Sequence, residues 1–296
     1  MGSTHARALA RSGPKLELTA VVEPSDEAAA RLPAALRRFR DPGELLRWGG
    51  VDGAIVAVPT RLHLDVVSEL LDSGLPVLCE KPCGLTSGET ATLAERARAA
   101  GLPLHVGYWR RFVPALRDLQ SRIAGGAFGK LEVVLCLQWD ERPPPSSFRD
   151  PASSGGIVVD MGVHEFDQLR WLTGQDVVEV TGVASSVCSA PPVEGDPEGV
   201  SLAVQLAGGA TGLVSLLRRH PPGDVCRVEV IGTRSVAELA FVAPPHGDET
   251  LLEALRAQAK DFAAAIGGAA SAGASVPDAA RALEVAERAR LTLGQS

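Results

Sequence analysis

Long basic runs and long apolar runs are both missing from this chain. Its formal net charge is −7, and the arginine pairs Arg37–Arg38 and Arg110–Arg111 stand alone, which argues against a nucleic-acid partner. No apolar stretch reaches the length that spans a bilayer, and the N-terminus lacks the basic and apolar regions of a secretory signal. We therefore expect a cytoplasmic protein with neither nucleic acid nor membrane as a partner.

Cysteine is scarce, and its positions are scattered. No pair has zinc-ligand spacing together with partners that would complete a site, so we expect no metal centre. An odd number of separated cysteines is typical of reduced cytosolic thiols. The five are Cys79, Cys83, Cys136, Cys188 and Cys226.

The first third of the chain alternates between short β-branched runs and helix-forming segments. Strands are predicted over Leu18–Val22, Gly53–Val58 and Val77–Leu78. Helices are predicted between them, over residues 3–12, 26–36, 63–73 and 87–100. This alternation predicts an α/β domain with a parallel, Rossmann-like sheet over residues 1–106.

After about Gly107 the pattern changes. Helices are predicted over Pro114–Ala124 and Gly156–Thr173, with a strand over Lys130–Trp139 between them. Strands joined by turns then dominate, beginning with Val177–Cys188, and two helices follow. Residues 107–296 are therefore expected to form an α+β domain with one open antiparallel sheet. One face of such a sheet would favour a partner subunit, so we expect a homodimer or homotetramer.

The start of the Rossmann-like pattern is incomplete. A dinucleotide-binding domain begins with a strand, a glycine-rich turn and a helix whose N-terminus meets the pyrophosphate. Met1–Leu9 matches only the end of that turn and the helix, with Gly2 as the last glycine. We expect either an internal methionine of a longer gene or a naturally shortened chain.

Polar residues follow two predicted strands at the edge where ligands bind in such folds. Glu23 follows the first, and an acid there accepts hydrogen bonds from ribose hydroxyls and repels a 2′-phosphate, which favours NAD over NADP. Pro59, Thr60 and His63 follow the second. For Glu23 the alternative is an ordinary acid at a strand end. For Thr60 it is a helix N-cap, and for His63 a residue on the surface of a helix.

Two further segments carry groups suited to acid–base chemistry. Lys81 follows a strand and can stabilise a developing alkoxide, with Glu80 fixing its orientation, although a surface Glu–Lys pair is the alternative. Asp160 and His164 are four residues apart on one predicted helix face, so the Asp can orient the ring of a general base. The alternatives are a capping acid with a core histidine and a poor metal site that includes Asp167.

Taken in order, these segments resemble the Gfo/Idh/MocA oxidoreductases, among them the inositol dehydrogenases. The resemblance covers essentially the whole chain. The matching segments are Gly2…His5, Pro59-Thr60…His63, Glu80-Lys81-Pro82, Gly107–Phe112, Gly155–Gly174, Glu229–Thr233 and Val276–Ala279.

The resemblance implies hydride transfer between NAD, or NADP, and a carbinol of a sugar, polyol or cyclitol. It makes Lys81 the residue that polarises the oxygen, His164 the general base and Asp160 its support. It places Tyr108, Arg110 and Arg111 beside Asp160 and His164 near the substrate. The cofactor residues it implies are Gly2, His5, Glu23, Pro59, Thr60, His63, Glu80 and Lys81. Two alternatives stay open. One is a non-catalytic, regulatory member of the family, and the other is a glycosidase-like member that uses NAD in transient redox steps.

Overall fold

This computed structural model describes residues 1–10, 12, 13, 16–33, 35–185, 187, 193–244 and 247–294. The elements up to residue 106 are short strands alternating with helices. In chain order they are α1 (Gly2–Leu9), β1 (Ala20–Val22), α2 (Asp26–Ala29), β2 (Arg37–Phe39), α3 (Pro42–Trp48), β3 (Ala54–Val56), a 3₁₀ turn (Thr60–Leu62), α4 (His63–Asp72), β4 (Val77–Cys79), α5 (Ser87–Ala100) and β5 (Leu104–Val106).

The strands of this first domain lie in two separate pieces. β1 pairs with β2 in parallel, and β3, β4 and β5 form a second parallel set. Within the described residues, no strand joins β1 to β3. The parallel pairing and the alternating helices confirm the prediction of a Rossmann-like domain.

The second part is built on one large sheet covered by helices. Its elements are a 3₁₀ turn (Trp109–Phe112), α6 (Pro114–Ala124), β6 (Leu131–Trp139), α7 (Ser146–Arg149), α8 (Pro151–Ser154), α9 (Gly156–Asp160), α10 (Gly162–Thr173), β7 (Val177–Ala184), β8 (Gly199–Leu206), β9 (Thr211–Leu217), β10 (Val225–Gly232), β11 (Val236–Val242), α11 (Gly247–Ile266), β12 (Ala274–Ser275) and α12 (Val276–Thr292). The large sheet has the order β11-β10-β6-β9-β8-β7, and its pairs are antiparallel except β6 with β9. The predicted open, mainly antiparallel sheet is therefore confirmed.

Helix α10 covers one face of the large sheet. Alternate residues on β6 and β9, such as Val134 and Val214, are buried on this face. Gly162 begins the helix, and a Cβ there would lie 3.1 Å from the ring of Phe166. The side chains on the opposite face of the sheet include the exposed Leu213 and Val236.

The C-terminal segment returns to the first domain. β12 pairs antiparallel with β5, and α12 packs against α5. The sequence placed the whole of residues 107–296 in the second domain and did not anticipate this return. The boundary at residue 106 stays a prediction, but residues 274–292 extend the layers of the first domain.

Two helices differ from their predicted extents. The predicted helix over residues 26–36 ends at Ala29, since Pro33 disfavours helical backbone in the residue before it, and β2 follows. The predicted helix Gly156–Thr173 is interrupted at Met161, between α9 and α10. The predicted strand Val177–Cys188 ends at Ala184, and Cys188 lies outside the described residues.

Among the described residues, no helix combines the length and the apolar character that a membrane span requires.

Candidate active site

Lys81 and Asp160 meet where the first domain faces the second. Lys81 follows Glu80 at the carboxyl end of β4, and Asp160 is the last residue of α9. The Nζ atom of Lys81 donates to the Asp160 carbonyl oxygen at 2.7 Å and to its Oδ1 at 3.1 Å. Their side chains are 15% and 12% exposed, so the ion pair is largely shielded but still open to the cleft.

The interruption of the helix makes this contact possible. His164, four residues after Asp160, donates its amide to the carbonyl of Met161 at 3.1 Å instead of continuing the α-helical bond to Asp160. The carbonyl of Asp160 is thereby left available to Lys81. A continuous helix would have used it internally, so the break supplies one of the two acceptors that hold the lysine.

The Asp160 carboxylate also binds Arg218, a residue that sequence reasoning missed. Arg218 follows β9, and its Nη1 donates to Asp160 Oδ2 at 2.6 Å. Burial raises the pKa of Asp160, but Lys81 and Arg218 outweigh burial and hold the pKa below its usual value. Asp160 is therefore a carboxylate that stays ionised between two cations.

His164 is buried beside this pair but makes no hydrogen bond with Asp160 among the described residues. Its ring packs edge-on against Tyr108 and Trp109, with centroid separations of 5.9 and 6.4 Å. Its Nδ1 is buried without a partner in the described part of the chain. Burial, with Lys81 and Arg110 nearby, holds the pKa of His164 well below its usual value, so the ring is neutral at neutral pH. Both carboxylate oxygens of Asp160 are bound to other groups, and support of His164 by Asp160 stays a prediction.

Glu80 is tied to α1 by His5. The Nε2 of His5 lies 2.6 Å from Glu80 Oε1, and each side chain is 5% exposed. Burial raises the pKa of Glu80, but the hydrogen bond and charge of His5, together with Lys81, give a net lowering. His5 connects the first helix with the residue before Lys81, and cofactor contact by His5 stays a prediction.

Three predicted cofactor residues lie at the end of β3. Pro59 is exposed, and Thr60 is buried at the start of the 3₁₀ turn. The ring nitrogens of His63 lie 2.7 Å from the Pro82 carbonyl and 2.9 Å from the Val58 carbonyl. His63 therefore holds the β3 and β4 loops together, and cofactor contact by these residues stays a prediction.

The start of α1 fits an anionic group. No side chain caps its N-terminus, so its first amides can bind an anion such as a pyrophosphate. A Cβ on Gly2 would meet only Ala57 at an ordinary 3.8 Å, so packing alone does not require glycine there. Glu23 follows β1, and its Oε1 accepts the Ser25 amide at 2.8 Å. Contact of Gly2 with the pyrophosphate and of Glu23 with a ribose of a dinucleotide stays a prediction.

The predicted substrate residues of the 108–111 segment lie at the domain junction but are buried. Arg110 forms an ion pair with Glu165 at 2.5 Å and donates to Gln138 at 2.8 Å. Arg111 binds Asp167 through two nitrogens, at 2.6 and 3.0 Å. Burial raises the pKa of Tyr108 well above its usual value, so its phenol stays protonated. These contacts favour supporting roles for all three, and direct substrate contact stays a prediction.

Asp140 is a second residue that the sequence did not reveal. It follows β6 beside Arg218, and its Oδ1 accepts from Gln138 at 3.2 Å. Burial, with Asp160 and Asp224 nearby, raises its pKa to about 6. Asp140 therefore titrates close to neutral pH at the edge of the candidate site.

Comparison with known proteins identifies two family domains in the chain. Residues 1–108 match the model described as "Oxidoreductase family, NAD-binding Rossmann fold", and residues 116–238 match the "GFO/IDH/MocA C-terminal domain". The rhizopine catabolism protein MocA of Rhizobium meliloti is 46% identical over 292 residues, covering 98% of this chain and 90% of that protein. A scyllo-inositol 2-dehydrogenase (NAD(+)) of Bacillus subtilis is 32% identical, covering 79% of this chain and 69% of that protein.

A solved structure gives the same result for the fold. The structure of a putative myo-inositol dehydrogenase from Sinorhizobium meliloti 1021 is 28% identical and superposes with a TM-score of 0.90, covering 99% of this chain and 94% of the other. The predictions of an oxidoreductase and of an NAD-binding domain are confirmed. The chain belongs to the Gfo/Idh/MocA oxidoreductase family.

Proposed function

We propose that the chain is an NAD-dependent dehydrogenase that oxidises a carbinol of a cyclitol or a closely related polyol. The observation that carries this proposal is the Lys81–Asp160 ion pair beside the buried, neutral His164. Relatives whose names refer to rhizopine catabolism and to scyllo-inositol support the substrate class. The presence of all three residues of the trio Lys81, Asp160 and His164 favours an enzyme over the alternative of a regulatory protein.

Each residue of the trio has a distinct role in this reaction. His164 accepts the hydroxyl proton, because a neutral imidazole can act as a base. Lys81 donates a hydrogen bond to the substrate oxygen and stabilises its developing charge. Asp160 holds Lys81 in place through its carboxylate and carbonyl oxygens. When bound, the nicotinamide supplies a hydride acceptor for the carbinol carbon.

The test measures NADH formation with a panel of inositols and other polyols. Lys81→Met and His164→Ala should each lower kcat on the order of 10²–10³-fold, with an unchanged circular dichroism spectrum. Lys130→Met, at an exposed lysine, is the matched control and should keep normal turnover. Saturable NADH binding with no turnover of any polyol would contradict the proposal and favour the regulatory alternative.

We also propose that the chain forms a homodimer or homotetramer through the uncovered face of the large sheet. Leu213 and Val236 are 52% and 58% exposed on that face, and uncovered apolar area favours association. Light scattering should give a multiple of the 30.8 kDa chain mass. Leu213→Asp should lower the measured mass, and a monomer in the parent protein would refute the idea.

A cytoplasmic location is part of the same proposal. Cys79, Cys83, Cys136 and Cys226 are free and buried, which fits a compartment that keeps thiols reduced. Fractionation of the native host should place the chain with the cytoplasmic proteins, and recovery outside the cytoplasm would contradict this.

A further inference from the structure

We propose that Arg218 is a positioning residue of this site, which fixes the place and the charge of Asp160 and thereby the place of Lys81. The proposal rests on the proposed function, because it assumes that Lys81 works on the substrate oxygen. Arg218 lies 58 residues from Asp160 in the chain, and no motif used above includes it.

The burial of Arg218 is the first argument. Its side chain is 0% exposed, and it is the largest of the fully buried side chains. Taking a guanidinium out of water costs several kcal/mol unless anions compensate it. Its Nη1 meets Asp160 at 2.6 Å and its Nη2 meets Asp196 Oδ1 at 3.0 Å. Arg218 is therefore committed to two carboxylates at once.

The second argument is the support of α9. This helix has five residues, and so short a helix is not stable by itself in water. At its start, the Ile157 amide donates to Asp196 Oδ1 at 2.6 Å. At its end, the Asp160 carboxylate binds Arg218. Because Arg218 also binds Asp196, the two ends of α9 are connected through the side chains of Asp196 and Arg218.

The third argument is charge balance. The ion pairs form a chain from the cleft into the second domain, in which cations and anions alternate. Beyond Arg218, Asp196 receives Arg149 Nε at 2.7 Å, and Arg149 also lies 3.4 Å from Glu198. The alternating members are Lys81, Asp160, Arg218, Asp196, Arg149 and Glu198. Loss of Arg218 would leave Asp160 and Asp196 buried with one cation fewer.

The geometry also separates this role from that of an ordinary structural arginine. Asp160 presents Oδ1 to Lys81 and Oδ2 to Arg218, so its carboxylate plane is set by both. Without Arg218 the carboxylate can rotate, and Lys81 follows it away from the substrate oxygen. A displacement of about 1 Å in a reacting group is enough to lower a rate on the order of 10²-fold.

Three variants of the full chain test the proposal. Arg218→Gln removes the positive charge. Arg218→Lys keeps the charge, but the single ammonium group of lysine cannot bind both carboxylates as the planar guanidinium does. Arg170→Gln is the control, because Arg170 is similarly buried on α10 but binds Asp176 instead. For each variant, kcat and KM are measured with the best polyol, and ¹³C NMR follows the titration of the Asp160 carboxyl, assigned with Asp160→Asn. Lys81, Arg218 and Asp140 are the charged groups that face this carboxyl.

For Arg218→Gln we expect kcat to fall on the order of 10²-fold, a smaller change in KM, and an upward shift in the pKa of Asp160. Arg218→Lys should keep the pKa of Asp160 low but recover little of kcat. Arg170→Gln should leave kcat and the pKa of Asp160 at their parent values, even if this variant unfolds at a lower urea concentration.

Two results would overturn the proposal: a normal kcat with an unmoved Asp160 titration in Arg218→Gln, or an equal loss of kcat in Arg170→Gln. If Arg218→Gln does not fold, Arg218→Lys with a normal kcat overturns it in the same way. Absence of turnover in the parent protein would refute the proposed function instead, and the Asp160 titration would still decide whether Arg218 controls this carboxylate.

Discussion

The buried contact between His5 and Glu80 gives a prediction whose size follows from the structure. His5→Ala leaves the Glu80 carboxylate without its partner at 2.6 Å, in a position where its side chain is 5% exposed. Removing one member of a buried pair costs about 3–5 kcal/mol, because the remaining charge is uncompensated. Glu80→Gln, alone and combined with His5→Ala, completes a double-mutant cycle that isolates the coupling, expected at about 1.5–3 kcal/mol.

The pH dependence of this loss has a definite sign. The pKa of Glu80 in the folded protein lies below its usual value of 4.5. Glu80 therefore stabilises the fold above pH 4.5, and this contribution is lost as the pH falls through the folded pKa. In His5→Ala, burial acts without the histidine and raises the pKa of Glu80. The part of the stability difference that comes from Glu80 should therefore narrow as the pH falls towards 4.5.

Urea unfolding followed by tryptophan fluorescence, repeated from pH 7.5 down to pH 4.5, measures this difference. A loss below about 1 kcal/mol at pH 7.5 would refute the reasoning.

Three other predictions concern the surroundings of the site. Gly107→Ala would place a Cβ 2.9 Å from Glu80 Oε2 and should lower the free energy of unfolding in urea by about 1–3 kcal/mol. Gly88→Ala, whose Cβ would meet only Thr86 Oγ1 at 3.8 Å, should not, and equal effects would contradict the packing argument. Asp140→Asn should stabilise the chain more at pH 8 than at pH 5. The pKa of Asp140 is about 6 in the folded protein against 3.8 ordinarily, so the ionised acid destabilises the fold increasingly as the pH rises above 3.8. A gain in melting temperature that does not change with pH would contradict this prediction. Glu23→Gln should raise the affinity for NADPH relative to NADH, and an unchanged ratio in fluorescence titration would remove Glu23 from cofactor choice.

The sequence was sufficient for the features that depend on local patterns. Strand–helix alternation predicted the parallel domain, and the carboxyl end of a strand is where Lys81 lies. Asp160 and His164 were found by their spacing and by the family resemblance. Their separation into two helices was missed, since the apolar and small residues around Met161 give no local signal of a break.

Long-range contacts could not be predicted from the sequence, for a physical reason. Arg218 is a charged residue after a strand, which in sequence is the mark of a solvated turn, and only the register of β9 places it against Asp160. The strand β12 has two residues, too few for any periodicity, and its pairing with β5 lies 168 residues away in the chain. Contacts of this kind depend on topology and not on local preference.

The return of β12 and α12 to the first domain has a consequence for how the molecule can be divided. The polypeptide passes between the two domains twice, once after β5 and once between β11 and α11, since α11 already packs against α1. A fragment that ended at residue 106 would leave the outer edge of β5 unpaired and the apolar flank of α5 uncovered. Exchange of nucleotide-binding modules between relatives must therefore carry residues 247–292 along with residues 1–106.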